Sequence, residues 1–137
     1  MKSELSTVLM VDDCPFNIVA IQSLLQQFNI SCDYGTNGQD AFDSVKNRLT
    51  KGQPMYKLIL MDFSMPVIDG PTGSRMIRDL LSEAGIAEED QTFICCVTAY
   101  SETKFIQIAK AAGMDTYLVK PVFKDDMHKL LIKVGLL

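Results

Sequence analysis

Residues 58–62 read Leu58-Ile59-Leu60-Met61-Asp62, four large apolar side chains in a row that stop at an acid. A strand with one wet face would alternate apolar and polar residues. This one does not, so it is expected to be buried on both faces, as in the middle of a parallel sheet. Residues 93–97, Phe93-Ile94-Cys95-Cys96-Val97, have the same character. Working outward, strand-like runs fall at 7–11, 31–34, 58–61, 92–97 and 116–119, each interval leaving room for one helix and two short loops.

The intervals carry a helical period. Ile18, Ile21, Leu25 and Phe28 make the first stripe, and Ala41, Phe42, Val45 and Leu49 the second. Met76, Ile77, Leu80 and Leu81 follow, then Ile106, Ile108, Ala109 and Ala112, then Met127, Leu130, Leu131 and Val134. Pro15 and Pro71 suit the first turn of a helix, where no amide donor is needed, and Gly113 suits a helix stop. Strand and helix alternating five times predicts an α/β fold: a doubly wound, five-stranded parallel sheet with helices on both faces. There is no repeat, low-complexity segment or linker, and 137 residues make one ordinary domain, so residues 1–137 are expected to form a single unit.

Composition excludes several classes. Apolar residues make up 47% and charged residues 22%, which rules out a disordered chain. Seventeen acids against thirteen Lys and Arg leave a net charge of −4, whereas nucleic-acid binders carry a basic surplus, so no direct nucleic-acid contact is expected. No apolar run approaches the length of a membrane span, and the N-terminus lacks a secretion signal; a cytoplasmic location without membrane contact is expected. Cys14, Cys32, Cys95 and Cys96 show no metal-type spacing and read as small buried hydrophobes, with Cys95 and Cys96 on opposite faces of a strand. His128 reads as a helix-face residue.

Ligands of open α/β sheets bind beyond the carboxyl ends of the strands. Those ends carry Asp12 and Asp13, then Asp62, then Thr98, then Lys120 and Pro121, while the second ends at Gly35 without charge. Clustered carboxylates oppose one another's ionisation unless a cation intervenes. A lysine and an oxygen-seeking divalent ion resolve that conflict, Mg2+ first and Mn2+ second. Three acids, a hydroxyl and a lysine suit phosphoryl transfer, with a carboxylate as nucleophile.

These motifs resemble the receiver domains of two-component response regulators, over about residues 7–134. Asp62-Phe63-Ser64-Met65-Pro66-Val67-Ile68-Asp69-Gly70 keeps the family's Asp-x-x-Met-Pro-x-x-Asp-Gly spacing, and Asp12-Asp13 its acidic pair. Thr98-Ala99 is similar to the switch threonine and its small neighbour, and residues 113–121 to the closing motif with Tyr117 and Lys120. Val11-Asp12-Asp13-Cys14-Pro15-Phe16-Asn17 is similar to receivers of hybrid histidine kinases.

The resemblance implies sheet order 2-1-3-4-5 in the flavodoxin-like receiver fold, Asp62 as phosphoacceptor, and a cis peptide at Lys120–Pro121. It implies Mg2+ on Asp13, Asp62 and the Ser64 carbonyl, with Asp12 acting through water. Lys120, Thr98 and Ala99 would meet the phosphoryl group and Tyr117 would turn inward. Ser64 and Tyr100 would set its lifetime. The implied partners are a histidine kinase or histidine phosphotransfer protein and an unidentified downstream protein, read by the face of the fourth helix, fifth strand and fifth helix. With no effector segment expected after Leu137, output would be protein contact, or the chain would be one module of a hybrid kinase. The chain would catalyse at most its own phosphorylation and dephosphorylation.

Three alternatives remain. A haloacid-dehalogenase-type phosphatase needs Asp-x-Asp on the first strand, where this chain has Asp12-Asp13-Cys14. A flavodoxin-like cofactor binder needs a first loop rich in Ser, Thr and Gly to cradle phosphate, and residues 12–17 are not. A degenerate receiver that serves only as a binding module is the third. The Pro71 and Gly73 positions suggest a loose start to the third helix.

Overall fold

The computed structural model describes residues 5–99 and 102–137. The elements run β1 (Val8–Val11), α1 (Pro15–Gln26), β2 (Cys32–Gly35), α2 (Gly38–Thr50), β3 (Leu58–Asp62), α3 (Gly70–Glu83), β4 (Phe93–Thr98), α4 (Thr103–Ala111), β5 (Thr116–Val119) and α5 (Lys124–Lys133), with a short 3-10 turn at Glu88–Asp90. The sheet is parallel in the order β2-β1-β3-β4-β5. Each strand lies within a residue or two of its expected position.

The central strands are buried on both sides, and alternate residues feed two separate cores. Leu9, Val11, Ile59, Met61, Ile94 and Cys96 pack with Ala41, Val45, Ile77 and Leu81 beneath α2 and α3. Val8, Met10, Leu58, Leu60, Cys95 and Val97 pack with Ile18, Ile21, Leu25, Met127 and Leu131 beneath α1 and α5. Cys95 and Cys96 therefore face opposite ways, as the strand period requires. Burial pushes the Cys96 thiol up to about 12 and raises that of Cys95 as well, which keeps both protonated. Cys14 and Cys32, expected to be buried, are only half-covered, because each sits at the end of an element rather than inside one.

Two other expectations are corrected. In α4 only Ala109 and, just past its end, Ala112 reach the core; Ile106 is half-covered and Ile108 is exposed. Ile108 precedes Ala109 by one residue, about 100° round the helix, so the two cannot share a buried face. The start of α3 is not loose. Asp69 caps it by accepting from the Thr72 amide at 2.8 Å, and Gly70, Pro71, Gly73 and Ser74 are all buried. A Cβ on Gly73 would lie 2.8 Å from the Gly38 Cα, so glycine here lets α2 and α3 touch through their backbones.

His128 is on the outer face of α5, stacked on Phe28 with ring centres 5.7 Å apart. Among the described residues no helix is long and apolar enough to cross a membrane.

Candidate functional site

At the carboxyl edge of the sheet, β1 delivers Asp12 and Asp13, β3 ends in Asp62, β4 ends in Thr98, and Lys120 follows β5. Parallel strands in register bring these ends level. The main chain holds them there: the Asp12 amide donates to the Gly35 carbonyl at 3.1 Å, and the Lys120 amide to the Thr98 carbonyl at 2.8 Å. The Lys120–Pro121 peptide is cis.

Carboxylate oxygens of Asp12, Asp13 and Asp62 come within 4.8 Å of one another. Asp12 is fully buried, Asp62 nearly so, and Asp13 is exposed. Lys120 bridges two of them, its Nζ lying 3.0 Å from Asp12 Oδ2 and 3.2 Å from Asp62 Oδ1. Lys120 thus pairs with both acids, slightly nearer Asp12.

The electrostatics follow from burial. Burial raises the Asp62 carboxyl above its ordinary range, with the Asp12 charge adding to the effect, and Lys120 opposes both without cancelling them. Burial alone would lower Lys120, but the hydrogen bond to Asp12 and the two carboxylate charges outweigh it, so its net shift is upward. Three acids facing one lysine leave a local excess of negative charge. Closely set carboxylate oxygens, one acid open to solvent, are a donor set for a hard divalent cation that keeps several waters. The residues therefore fit Mg2+.

The remaining expected residues lie around this centre. Thr98 is buried at the end of β4, while Ala99 and Ser64 are exposed. Tyr117 is 38% exposed and pairs in register with Cys96. Tyr100 lies outside the described residues. Cys14 precedes the first residue of α1 and donates its backbone N–H to Asp12 Oδ1 at 2.9 Å.

One member of the site was not recognised from the sequence. Asn17 donates its side-chain amide to Asp12 Oδ2 at 3.2 Å. Its place five residues after the acid, inside the first turn of α1, was the available signal. The loop after Asp62 is also more constrained than its composition suggests. The Ile68 amide donates to the Pro66 carbonyl at 2.9 Å, closing a γ-turn at Val67 with φ +69°, and the Ile68 carbonyl accepts from the Gly38 amide at 2.7 Å. Phe63 meets Phe105 of α4 edge to face at 5.4 Å.

Comparison with known proteins gives this arrangement a context. The family described as response regulator receiver domain matches residues 8–132. The chain is 32% identical over 127 residues to the signal transduction histidine-protein kinase BarA of Escherichia coli (strain K12), covering 93% of this chain but 12% of BarA. The receiver domain of the sensor histidine kinase PA1611 from Pseudomonas aeruginosa PAO1, solved with magnesium in its active-site cleft, matches with a TM-score of 0.76 at 26% identity, covering 93% of this chain and 96% of that one. The receiver of Saccharomyces cerevisiae Ssk1, solved with the histidine phosphotransfer protein Ypd1, matches with a TM-score of 0.75 at 30% identity, covering 93% and 85%. In sequence and in fold alike, the chain belongs to the receiver domains of two-component response regulators.

Proposed function

We propose that this receiver accepts a phosphoryl group on Asp62 in a Mg2+-dependent reaction, from a phosphohistidine carried by a histidine kinase or histidine phosphotransfer protein. The carrying observation is Lys120, held 3.0 Å from Asp12 and 3.2 Å from Asp62 at the mouth of the sheet. Asp62 attacks phosphorus through a carboxylate oxygen whose basicity burial has raised. The Asp62 O–P bond forms as the P–N bond to the partner's imidazole breaks, and that nitrogen keeps the electron pair. Asp13, Asp62 and the Ser64 carbonyl would hold the metal, with Asp12 helping through water. When bound, Mg2+ supplies positive charge against the phosphoryl oxygens. Of the two ions expected, magnesium is the one found in the PA1611 receiver.

Lys120 pairs with a phosphoryl oxygen once the acid has become an acyl phosphate, and the Thr98 hydroxyl donates to another, with Ala99 small enough to leave the approach open. Tyr117, partly exposed on β5, turns inward behind Thr98, and Ser64 and Tyr100 set the lifetime. The α4–β5–α5 face carries the change outward to a downstream protein, and Ile108, Tyr117 and Val119 supply its exposed apolar contacts. The donor docks against α1 beside the site, where Phe16 is 85% exposed and Val19 58%. The relative Ssk1 receiver in its complex with Ypd1 supports this choice of donor.

Incubation with acetyl phosphate and Mg2+, followed by intact-mass measurement, tests the reading. One phosphoryl group should add, and chelation or Asp62→Asn should abolish it. Addition that persists in Asp62→Asn would overturn the site. Absence of addition and of Mg2+ binding would favour a degenerate receiver that acts only by contact.

A further inference from the structure

Asp12 is fully buried, so hydrogen-bond donors must replace its hydration. It has three. Oδ1 accepts from the Cys14 backbone at 2.9 Å, while Oδ2 accepts from both Lys120 Nζ at 3.0 Å and Asn17 Nδ2 at 3.2 Å. Two donors of different kinds thus share one oxygen. Lys120 has a second acceptor in Asp62, and in the proposed reaction it must turn to the phosphoryl group. Asp12 Oδ2 then loses its cation. A buried carboxylate oxygen left without a donor costs far more than the hydrogen bond it lost, so Asp12 would hold Lys120 back unless another donor stayed.

Asn17 is that donor. It and Lys120 face the same cavity of about 260 Å³ between α1 and the start of the β5–α5 connection. The rest of that wall, apart from Asp12 itself, is Met10, Ala20, Ile21, Val97 and Pro121. None of their side chains can donate to Asp12, so the amide is the one side-chain substitute for the lysine on this wall. The amide is also neutral: it satisfies Asp12 without competing with Lys120 for negative charge.

We infer that Asn17 is a positioning residue that keeps Asp12 satisfied while Lys120 changes partner from the acid pair to the phosphoryl group on Asp62. The inference rests on the phosphoryl-accepting reading above and assigns one residue's part in it. Asn17 touches neither the phosphoryl group nor the metal; it acts through Asp12 on the freedom of Lys120.

The test uses the full chain and beryllofluoride with Mg2+ as a stable phosphoryl mimic, titrated by NMR, alongside Mg2+ alone titrated by calorimetry. Asn17→Leu and Asn17→Ala, each checked for folding by circular dichroism, should raise the half-saturating beryllofluoride concentration about tenfold. Mg2+ affinity without beryllofluoride should stay within about twofold, because the metal does not require Lys120 to leave Asp12. In a Lys120→Met background the same Asn17 substitutions should change beryllofluoride binding by less than about twofold. Three results would each overturn the inference: unchanged beryllofluoride binding in both single variants, an equal loss of Mg2+ affinity, or an undiminished loss in the Lys120→Met background. If the parent chain took up neither beryllofluoride nor phosphoryl, the reading beneath it would fall, and this inference with it.

Discussion

Arg48 and Tyr56 converge on one oxygen of Asp33. The guanidinium donates to Asp33 Oδ2 at 3.1 Å, the phenol donates to the same atom at 2.7 Å, and the guanidinium carbon lies 3.6 Å from the centre of the tyrosine ring. Arg48 also donates to the carbonyls of Ser6 and Pro54. Edge strand β2 is thereby fastened to α2 and to the chain entering β3, at the end of the sheet remote from the acid cluster.

Tyr56→Phe should cost about 0.5–1.5 kcal/mol, because the phenol is buried but the Asp33 carboxylate that accepts from it is half exposed. Burial, and next the bond to Asp33, raise the phenol well above its ordinary value. The stabilisation is therefore complete below the unfolded-state value near 10 and is lost as pH rises through the folded-state value. Urea denaturation of both proteins at pH 7 and above pH 10 should show the gap narrowing; a gap that widened would contradict the assignment.

Gly73→Ala separates helix propensity from packing. In an exposed helix the change would add about 1 kcal/mol of stability. Here the new methyl would meet the Gly38 backbone, which has no flexible tip to yield, and overpacking of this kind costs about 1–3 kcal/mol. The denaturation midpoint should fall at unchanged slope.

Val67→Gly should move stability the other way. A β-branched residue at φ +69° is strained by about 1–2 kcal/mol, and its side chain is 82% exposed, so little packing is lost. Against the entropy cost of glycine, a net gain of about 0.5–1 kcal/mol is expected. A loss in calorimetric melting would show that the valine side chain is used by the loop.

Asp62→Asn should stabilise the chain by about 0.5–2 kcal/mol near neutral pH while abolishing phosphorylation, because it removes a buried charge facing Asp12. The raised carboxyl gives the sign: ionising Asp62 opposes folding, so the parent should gain relative to the variant as pH falls through the folded-state value. Mg2+ should stabilise the folded parent by about 2.7 kcal/mol at a hundred times its dissociation constant, and so raise its melting temperature. Asp13→Asn should weaken that shift.

What was legible in the sequence depended on how local the physics was. Leu58–Asp62 and Phe93–Thr98 could be placed because a doubly buried strand needs an unbroken apolar run, and the acids stood out because each ends such a run. The fourth helix was read in part: Ala109 and Ala112 belong to the expected stripe and are buried, but Ile108, included for its size, is exposed, and Ile106 is only half-covered. Gly73 read as a weak helix residue because the reason for it lies on another helix. Asn17 was visible only as part of a motif, since its bond to Asp12 depends on the direction of a side chain five residues away.

The two sides of the sheet edge differ in stiffness. A Cβ on Gly70 would run into the Asp62 carbonyl, the Gly38 amide grips the Ile68 carbonyl, and Gly73 abuts Gly38. The end of β3, the loop beyond it and the starts of α2 and α3 are interlocked through main-chain atoms, with no slack to take up. On the other flank, α4 is held chiefly through side chains: Ala109 and, past its end, Ala112 are buried, Phe105 meets Phe63, and Arg75 donates to the Ala111 carbonyl at 2.6 Å. Charge added to Asp62 cannot push toward α2 and α3 without breaking the backbone lock. If Asp62 takes up a phosphoryl group as proposed, the side left to respond is that of α4, and the direction of the response would be built into where the chain has no side chains.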